Sequence, residues 1–142
     1  MKLKTDAFEH EGMIPQKYTC MGEDKSPALK WEDIPLGTKS LALSLKDPDA
    51  PGKTFVHWLV YDIDPSTDGV KENGVPGKQV TNHFGRESYG GPCPPSGVHR
   101  YYFRLFALDV ETLGEISSMD EFDQAVEKHT IDQAEIMGRF SK

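Results

Sequence analysis

Between residues 40 and 64 the hydrophobic positions fall in two rhythms. In "SLALSLKDPDAP" Leu41, Leu43 and Leu45 alternate with Ala42, Ser44 and Lys46, the period of two that sends successive side chains to opposite faces of a strand. Asp47 falls on the leucine face, and Pro48 stops the strand because it has no N–H for a ladder. "FVHWLVYDID", residues 55–64, is aromatic or β-branched almost throughout, as a strand buried on both faces requires. A third strand, "HRYYFRLFALD" at 99–109, sets His99, Tyr101, Phe103, Leu105 and Ala107 on one face and Arg100 on the other.

Elsewhere the rhythm weakens or changes. Residues 4–31 are turn-rich, with short extended pieces around Phe8 and Tyr18. Residues 65–88 have no clear period and read as a long irregular excursion, a feature that often carries function. In the tail, Ser118 with Glu121 forms a capping-box pattern, followed by Phe122, Ala125 and Val126 at helical spacing. Thr130 with Gln133 repeats it, with Ile131, Ala134, Ile136 and Met137 as a second apolar stripe and Gly138 as its C-cap. The pattern predicts a mainly β protein, an antiparallel core with one or two short C-terminal helices against it.

Composition narrows the picture. A chain of 142 residues, 37% hydrophobic, suits one domain spanning 1–142. Thirteen glycines and ten prolines agree with many turns and short strands. A net charge of -7 without a Lys/Arg cluster excludes nucleic acid as a main partner. No apolar run is long enough to span a membrane as a helix. "MKLKTDAFEHEG" is charged throughout and is no secretory signal, so a cytoplasmic location is expected. Cys20 and Cys93 lack zinc-type spacing. In that compartment they are expected as free thiols, with a disulfide as the alternative in oxidising surroundings.

Three polar residues interrupt apolar strand faces at strand ends: Asp47, His57 and His99. If the first two strands pair as a hairpin with Asp47 opposite His57, then Leu45 meets Leu59, Leu43 meets Tyr61 and Leu41 meets Ile63, an apolar face except at the loop end. If His99 and Tyr101 arrive at the same end, the result is a small cavity with an apolar floor and a mouth of one carboxylate, two imidazoles and a phenol. Mostly apolar walls with a few convergent polar groups are the make-up of a small-ligand site, and histidines beside a carboxylate suit a small anion. Read singly, His57 is a hydrogen-bonded core histidine and Tyr101 a packed ring; their shared position is what raises them to a site. Arg100, on the other face, is expected to pair with a carboxylate.

"DPDAP", "VHWLVYDI", "YGGPCPPSGVHRYYFRLFALD", "YTCMGEDKSPALKW" and "AEIMGRF" together resemble the phosphatidylethanolamine-binding protein family, also called the Raf kinase inhibitor protein family, in its bacterial and archaeal form. The resemblance covers nearly the whole chain. It implies a central antiparallel sheet, a second smaller sheet and a C-terminal helix, with a pocket for phosphate or a phosphorylated head group. It also implies a ligand-binding set of Asp47, Pro51, His57, His99 and Tyr101, with Gly90, Gly91 and Pro92 as a collar whose glycine amides face the anion. Ala50–Pro51 is where a cis peptide is expected. No cofactor or metal is implied, and no catalytic residue is assigned.

Three function classes follow. A binding module that holds the anion without chemistry is favoured, since there is no "GxSxG" and no other recognisable nucleophile. A hydrolase using the Asp/His group, for general acid–base work or to hold a metal, is the second. A regulator of a protein partner such as a protease or kinase, acting through the proline-stiffened loops, is the third. A homodimer is left open.

Overall fold

A computed structural model describes all residues, Met1–Lys142. Eight strands and one helix follow in chain order: β1 (Lys2–Lys4), β2 (Leu29–Glu32), β3 (Ser40–Asp47), β4 (Phe55–Ile63), β5 (Gly69–Val70), β6 (Lys78–Val80), β7 (Val98–Leu108), α1 (Met119–His129) and β8 (Thr130–Ser141), with a 3-10 turn at Gln16–Tyr18. The five-stranded sheet runs β6-β4-β3-β7-β8 and the three-stranded sheet β1-β2-β5. All strand pairs in both are antiparallel. No helix is long and apolar enough to cross a membrane.

The alternation along β3 sorts its residues into two layers. Leu41, Leu43 and Leu45 join Phe103 and Leu105 of β7 and Leu3, Leu29 and Trp31 of the small sheet in the layer between the sheets. Ala42 faces the other way, with Leu59, Tyr61, Phe122 and Val126, in the layer under α1. A strand with neighbours on both sides and layers on both faces has no solvent side, and β3 is buried from Ser40 to Leu45.

The β3–β7 register is continuous from Ser40↔Leu108 to Lys46↔Tyr102. The β3–β4 register is not the constant pairing the hydrophobic pattern predicts. Leu41 does meet Ile63, but Leu43 meets Val60, Leu45 meets Trp58 and Asp47 meets Phe55. Two bulges intervene. One lies beside Asp62, whose φ of 53° is left-handed. At the other, Trp58 and Val56 oppose the consecutive residues Leu45 and Lys46, so His57 is the extra residue. A bulge breaks strict alternation, and so His57 and Trp58 both turn toward the layer between the sheets, although they are adjacent in sequence.

The tail also departs from expectation. Ser118 Oγ accepts the Glu121 amide at 3.1 Å, and the Glu121 carboxylate returns to the Ser117 amide at 3.0 Å, so the first capping pattern works. The second does not start a helix. Thr130 Oγ1 donates to Val126 O at 2.6 Å, and its backbone is extended (φ -70°, ψ 126°), so it ends α1. The residues from Thr130 pair along almost all of β7, and this long-range ladder outweighs local helical preference. Gly138 is accordingly no C-cap. It sits mid-strand, where a Cβ would overlap Ile14 Cγ1 and approach Phe8 Cε2 to 2.8 Å. The 10–14 segment crosses at that point and covers the free edge of β8, with Ile14 N donating to Arg139 O at 2.7 Å and Arg139 N to Gly12 O at 2.8 Å.

Gly138→Val should therefore destabilise the fold by about 1–3 kcal/mol through overpacking. Urea denaturation would show a lower midpoint with an unchanged slope; wild-type stability would contradict the close approach.

Candidate functional site

At one end of the large sheet, β3 delivers Asp47, β7 delivers His99 and Tyr101, and the β4 bulge delivers His57. Together they line one cavity of about 360 Å³, within the range of small-molecule sites. Asp47 and His57 are 3% exposed, His99 7% and Tyr101 0%. A carboxylate buried this far needs partners, and both Asp47 oxygens have one: His99 Nδ1–H donates to Oδ2 at 2.7 Å and the Asp49 amide to Oδ1 at 2.8 Å. Asp49 is in turn clamped by Arg100, through Nη2 to Oδ1 at 2.7 Å and Nε to Oδ2 at 2.9 Å, the carboxylate partner expected for that arginine.

His57 is held from behind. Its Nδ1 lies 2.7 Å from Gly90 O, and a carbonyl only accepts, so Nδ1 carries the proton. Burial is the main cause holding the His57 pKa below the usual histidine value, with Gly90 O and Asp47 pulling the other way. Nε2 of His57 and Nε2 of His99 have no protein partner, yet neither is sealed off; both rings line the cavity. Tyr101 Oη is the single buried side-chain polar atom without a hydrogen bond. Burial first, then the Asp47 charge and the closeness of its carboxylate to the hydroxyl, push its pKa far above the usual phenol value, with the Cys93 backbone pulling the other way.

Ala50 and Pro51, also lining the cavity, come from the β3–β4 loop. The Ala50–Pro51 bond is trans, as is every peptide bond in the chain; trans is the lower-energy form even before proline. Phe55, Phe84, Pro94 and Pro95 complete the apolar wall, with Phe55 and Phe84 edge-on at 4.8 Å and His57 5.3 Å from both Phe84 and Tyr101. None of these four was singled out by the sequence. Phe84 lies in the aperiodic excursion, and what places it is Asn82, 3% exposed. Asn82 Nδ2 donates to His57 O and Ser88 O, both at 2.8 Å, while its Oδ1 accepts the Phe84 and Arg86 amides at 3.0 and 3.1 Å. An Asn within a Gly- and Ser-containing loop was the available signal. His10 and His83, unassigned in the sequence, each accept a backbone amide through Nδ1, from Met137 and Val56.

The collar acts differently from the expectation. Gly90, Gly91 and Pro92 do not line the cavity. Gly90 N donates to His57 O at 3.2 Å and Gly91 N to Asp24 Oδ1 at 2.8 Å, so neither amide is free for an anion. Gly90 instead makes room for Phe84, whose ring a Cβ would overlap, and Gly91 for the Tyr18 carbonyl. Pro92 O accepts the Cys20 amide at 3.1 Å. Next to that bond Cys20 and Cys93 form a disulfide, with Cα atoms 5.4 Å apart, which replaces the two free thiols expected. These contacts bring the 19–24 and 91–93 segments together, a proximity that 73 positions of sequence separation hide.

The arrangement is a preformed cavity on a rigid β scaffold, and the comparisons agree with that fold. The sequence profile of the family described as "Phosphatidylethanolamine-binding protein" matches residues 4–141. The chain belongs to the phosphatidylethanolamine-binding protein family. It is 45% identical over 151 aligned positions to a UPF0098 protein of Methanothermobacter thermautotrophicus, covering 100% of this chain and 99% of that one. It is also 45% identical over 152 positions to a UPF0098 protein of Aquifex aeolicus, covering 100% and 89%. A phosphatidylethanolamine-binding protein homolog of Chlamydia trachomatis superposes with a TM-score of 0.93 at 36% identity, over 99% of this chain and 97% of that one. E. coli YbcL, described as a member of the mammalian family, superposes with a TM-score of 0.93 at 28% identity, over 99% and 98%.

Two predictions rest on this geometry. The hydrogen bonds from Arg100 hold Asp49 at about 2, below the unfolded value of about 3.9. A depressed folded pKa means stabilisation that is present above the unfolded value and lost as pH falls toward 2. Arg100→Met should lower stability at pH 7 and flatten the stability–pH curve between about pH 4 and 2; urea midpoints at several pH values would show an unaltered acid limb if the clamp were idle. Tyr101→Phe removes a buried unsatisfied hydroxyl, so it should raise the stability of the ligand-free protein by about 1 kcal/mol. A loss of stability on thermal denaturation would mean the hydroxyl has a partner.

Proposed function

We propose that this protein binds a small anion, phosphate or a phosphorylated head group, in the cavity at Asp47, His57, His99 and Tyr101, holds it without chemistry, and regulates a protein partner through that occupancy. The observation that carries this reading is Tyr101 Oη, a fully buried hydroxyl that makes no well-formed hydrogen bond in the protein, with only the Asp47 carboxylate and the Cys93 backbone beside it, in the same cavity as two imidazoles whose Nε2 atoms are also free. Leaving a donor unsatisfied costs about 1–3 kcal/mol, and a ligand oxygen would supply the missing acceptor. Apolar walls of Phe55, Phe84, Pro94 and Pro95 give the organic part of a head group a surface to pack on.

The Asp47–His99 pair also supports a second reading. A buried carboxylate orienting an imidazole whose Nε2 faces a cavity is the arrangement of a general base. No Ser or Thr lines the cavity and Cys93 is in the disulfide, so such a base would act on water. Turnover of p-nitrophenyl phosphate that disappears in His99→Ala would establish this reading in place of simple binding.

The cytoplasmic location expected from the N-terminal sequence has to be weighed against the disulfide, since most intracellular disulfides outside hyperthermophiles are transient. Thiol labelling of the protein in its native cells distinguishes the compartments: unlabelled cysteines favour oxidising surroundings.

Crystals soaked in phosphate or phosphoethanolamine should show density against Tyr101 and the two histidines; density elsewhere with an empty cavity overturns the proposal. In solution, Asp47→Asn and His99→Ala should each weaken phosphoethanolamine binding about 10- to 100-fold, the scale of a hydrogen bond to a charged group. Titration calorimetry showing wild-type affinity in both variants would remove these residues from the site.

A further inference from the structure

The anion reading leaves open which anions the cavity accepts, and the two histidines differ in a way that bears on this. His99 Nδ1–H faces a carboxylate. His57 Nδ1–H faces a neutral carbonyl, Gly90 O, at 2.7 Å, and Gly90 is itself fixed by its amide bond to His57 O at 3.2 Å. With Nδ1–H committed behind the ring, the neutral imidazole turns a lone pair, not a proton, into the cavity. The ring is 3% exposed and enclosed by Phe55, Phe84 and Tyr101. The titratable or charged groups around it are Asp47, Asp24, His99 and Tyr101. The nearest carboxylate, Asp47, already has both oxygens engaged, and burial disfavours a proton on His57.

We infer that His57 is a specificity-determining acceptor: the cavity takes a phosphate ester as its monoanion, with the ligand P–O–H donating to His57 Nε2 and an anionic oxygen accepting from Tyr101 Oη. This rests on the anion reading and deepens it. A phosphate monoester carries a proton below its second pKa of about 6. A sulfate ester has the same shape and charge pattern but no proton to give. Its oxygen would meet the His57 lone pair, leaving two acceptors face to face and one buried group unpaired. Sites built to accept a hydrogen bond discriminate strongly against ligands without the donor. His57 thus separates phosphate from sulfate, a distinction that size and charge do not make.

The test is a matched pair, phosphoethanolamine and ethanolamine O-sulfate, measured by calorimetry across about pH 5.5 to 8 on either side of the phosphate pKa. Phosphoethanolamine should bind at least about tenfold tighter near pH 6, the scale of one hydrogen bond. Its affinity should then fall about tenfold per pH unit well above the pKa, in proportion to the monoanion fraction. A change of charge elsewhere in the protein moves both ligands together, so the ratio isolates the ligand proton. In His57→Phe, which keeps a ring in the same place but turns no acceptor into the cavity, the ratio should fall toward one. Imidazole 15N shifts of the complex give a second readout: His57 should show a protonated Nδ1 and an unprotonated Nε2. Equal binding of the two esters, or an imidazolium His57 in the phosphate complex, overturns this inference while leaving the anion reading standing. Binding of neither ester overturns both. If His57→Phe fails to fold, the wild-type ratio and spectrum decide.

Discussion

The structure depends on what happens to one carboxylate. Strand β3 lies between β4 and β7 and has protein layers on both faces, so the acid at its end cannot turn to water. Asp47 is 3% exposed on the face it shares with three leucines. It is tolerated because the β3–β7 ladder brings His99 to its Oδ2 and the chain reversal after Pro48 brings the Asp49 amide to its Oδ1. Removing one partner of a buried pair costs several kcal/mol, more than the pair itself contributes, because the other charge is left alone. Register, turn and site are therefore one arrangement. A slip of β7 by one residue would carry His99 to the opposite face and strand the carboxylate.

From that point the network runs outward. Asp49 holds Arg100 on the outer face of β7, while on the inner face the His99 ring stacks with Tyr101 at 6.4 Å and the Tyr101 ring meets His57 edge-on at 5.3 Å. His57 reaches Gly90, Gly90 makes room for Phe84, and Asn82 fixes the loop between them. Each step either pairs a buried polar group or clears space for a ring, so the cavity walls stay in place without a ligand. Cavities built this way have less ordering entropy to lose on binding.

How much of this the sequence shows follows from the range of each interaction. The leucine alternation of β3 and the aromatic face of β7 are local patterns, so those strands, the convergence of Asp47, His99 and Tyr101 on one cavity, and a carboxylate partner for Arg100 were legible, though not that Asp49 is that partner. His57 was assigned to the site through a register that does not exist. The pattern permits a straight hairpin, and it contains no sign that His57 is the bulged residue. Either geometry puts the ring at that sheet end, which is why it still lines the cavity. The wall of Phe55, Phe84, Pro94 and Pro95 was not legible, since its members belong to loops whose paths are set by Asn82 and by the 20–93 disulfide. The tail failed for the opposite reason. Thr130–Gln133 carries a true local helix signal, but the adjacent edge of β7 satisfies its backbone over eleven residue pairs.

The residues that satisfy the fold and those that leave it unsatisfied are not randomly placed. Asp47, Asn82 and the glycine amides have partners in the protein. Among fully buried side-chain polar atoms one lacks a partner, Tyr101 Oη, and its ring lines the same cavity as the two histidines whose Nε2 atoms make no bond in the protein. A protein selected only for stability would carry Phe at 101, since the hydroxyl finds nothing to bond and its burial costs free energy. A buried hydroxyl without a well-formed bond, beside two imidazole nitrogens that also make none, leaves hydrogen-bonding capacity open at the cavity, and an unsatisfied buried group asks for a physical reason. A phenol donor and an imidazole acceptor side by side suit an occupant that offers both an acceptor and a donor, and that match is the physical ground for proposing a protonated oxyanion there.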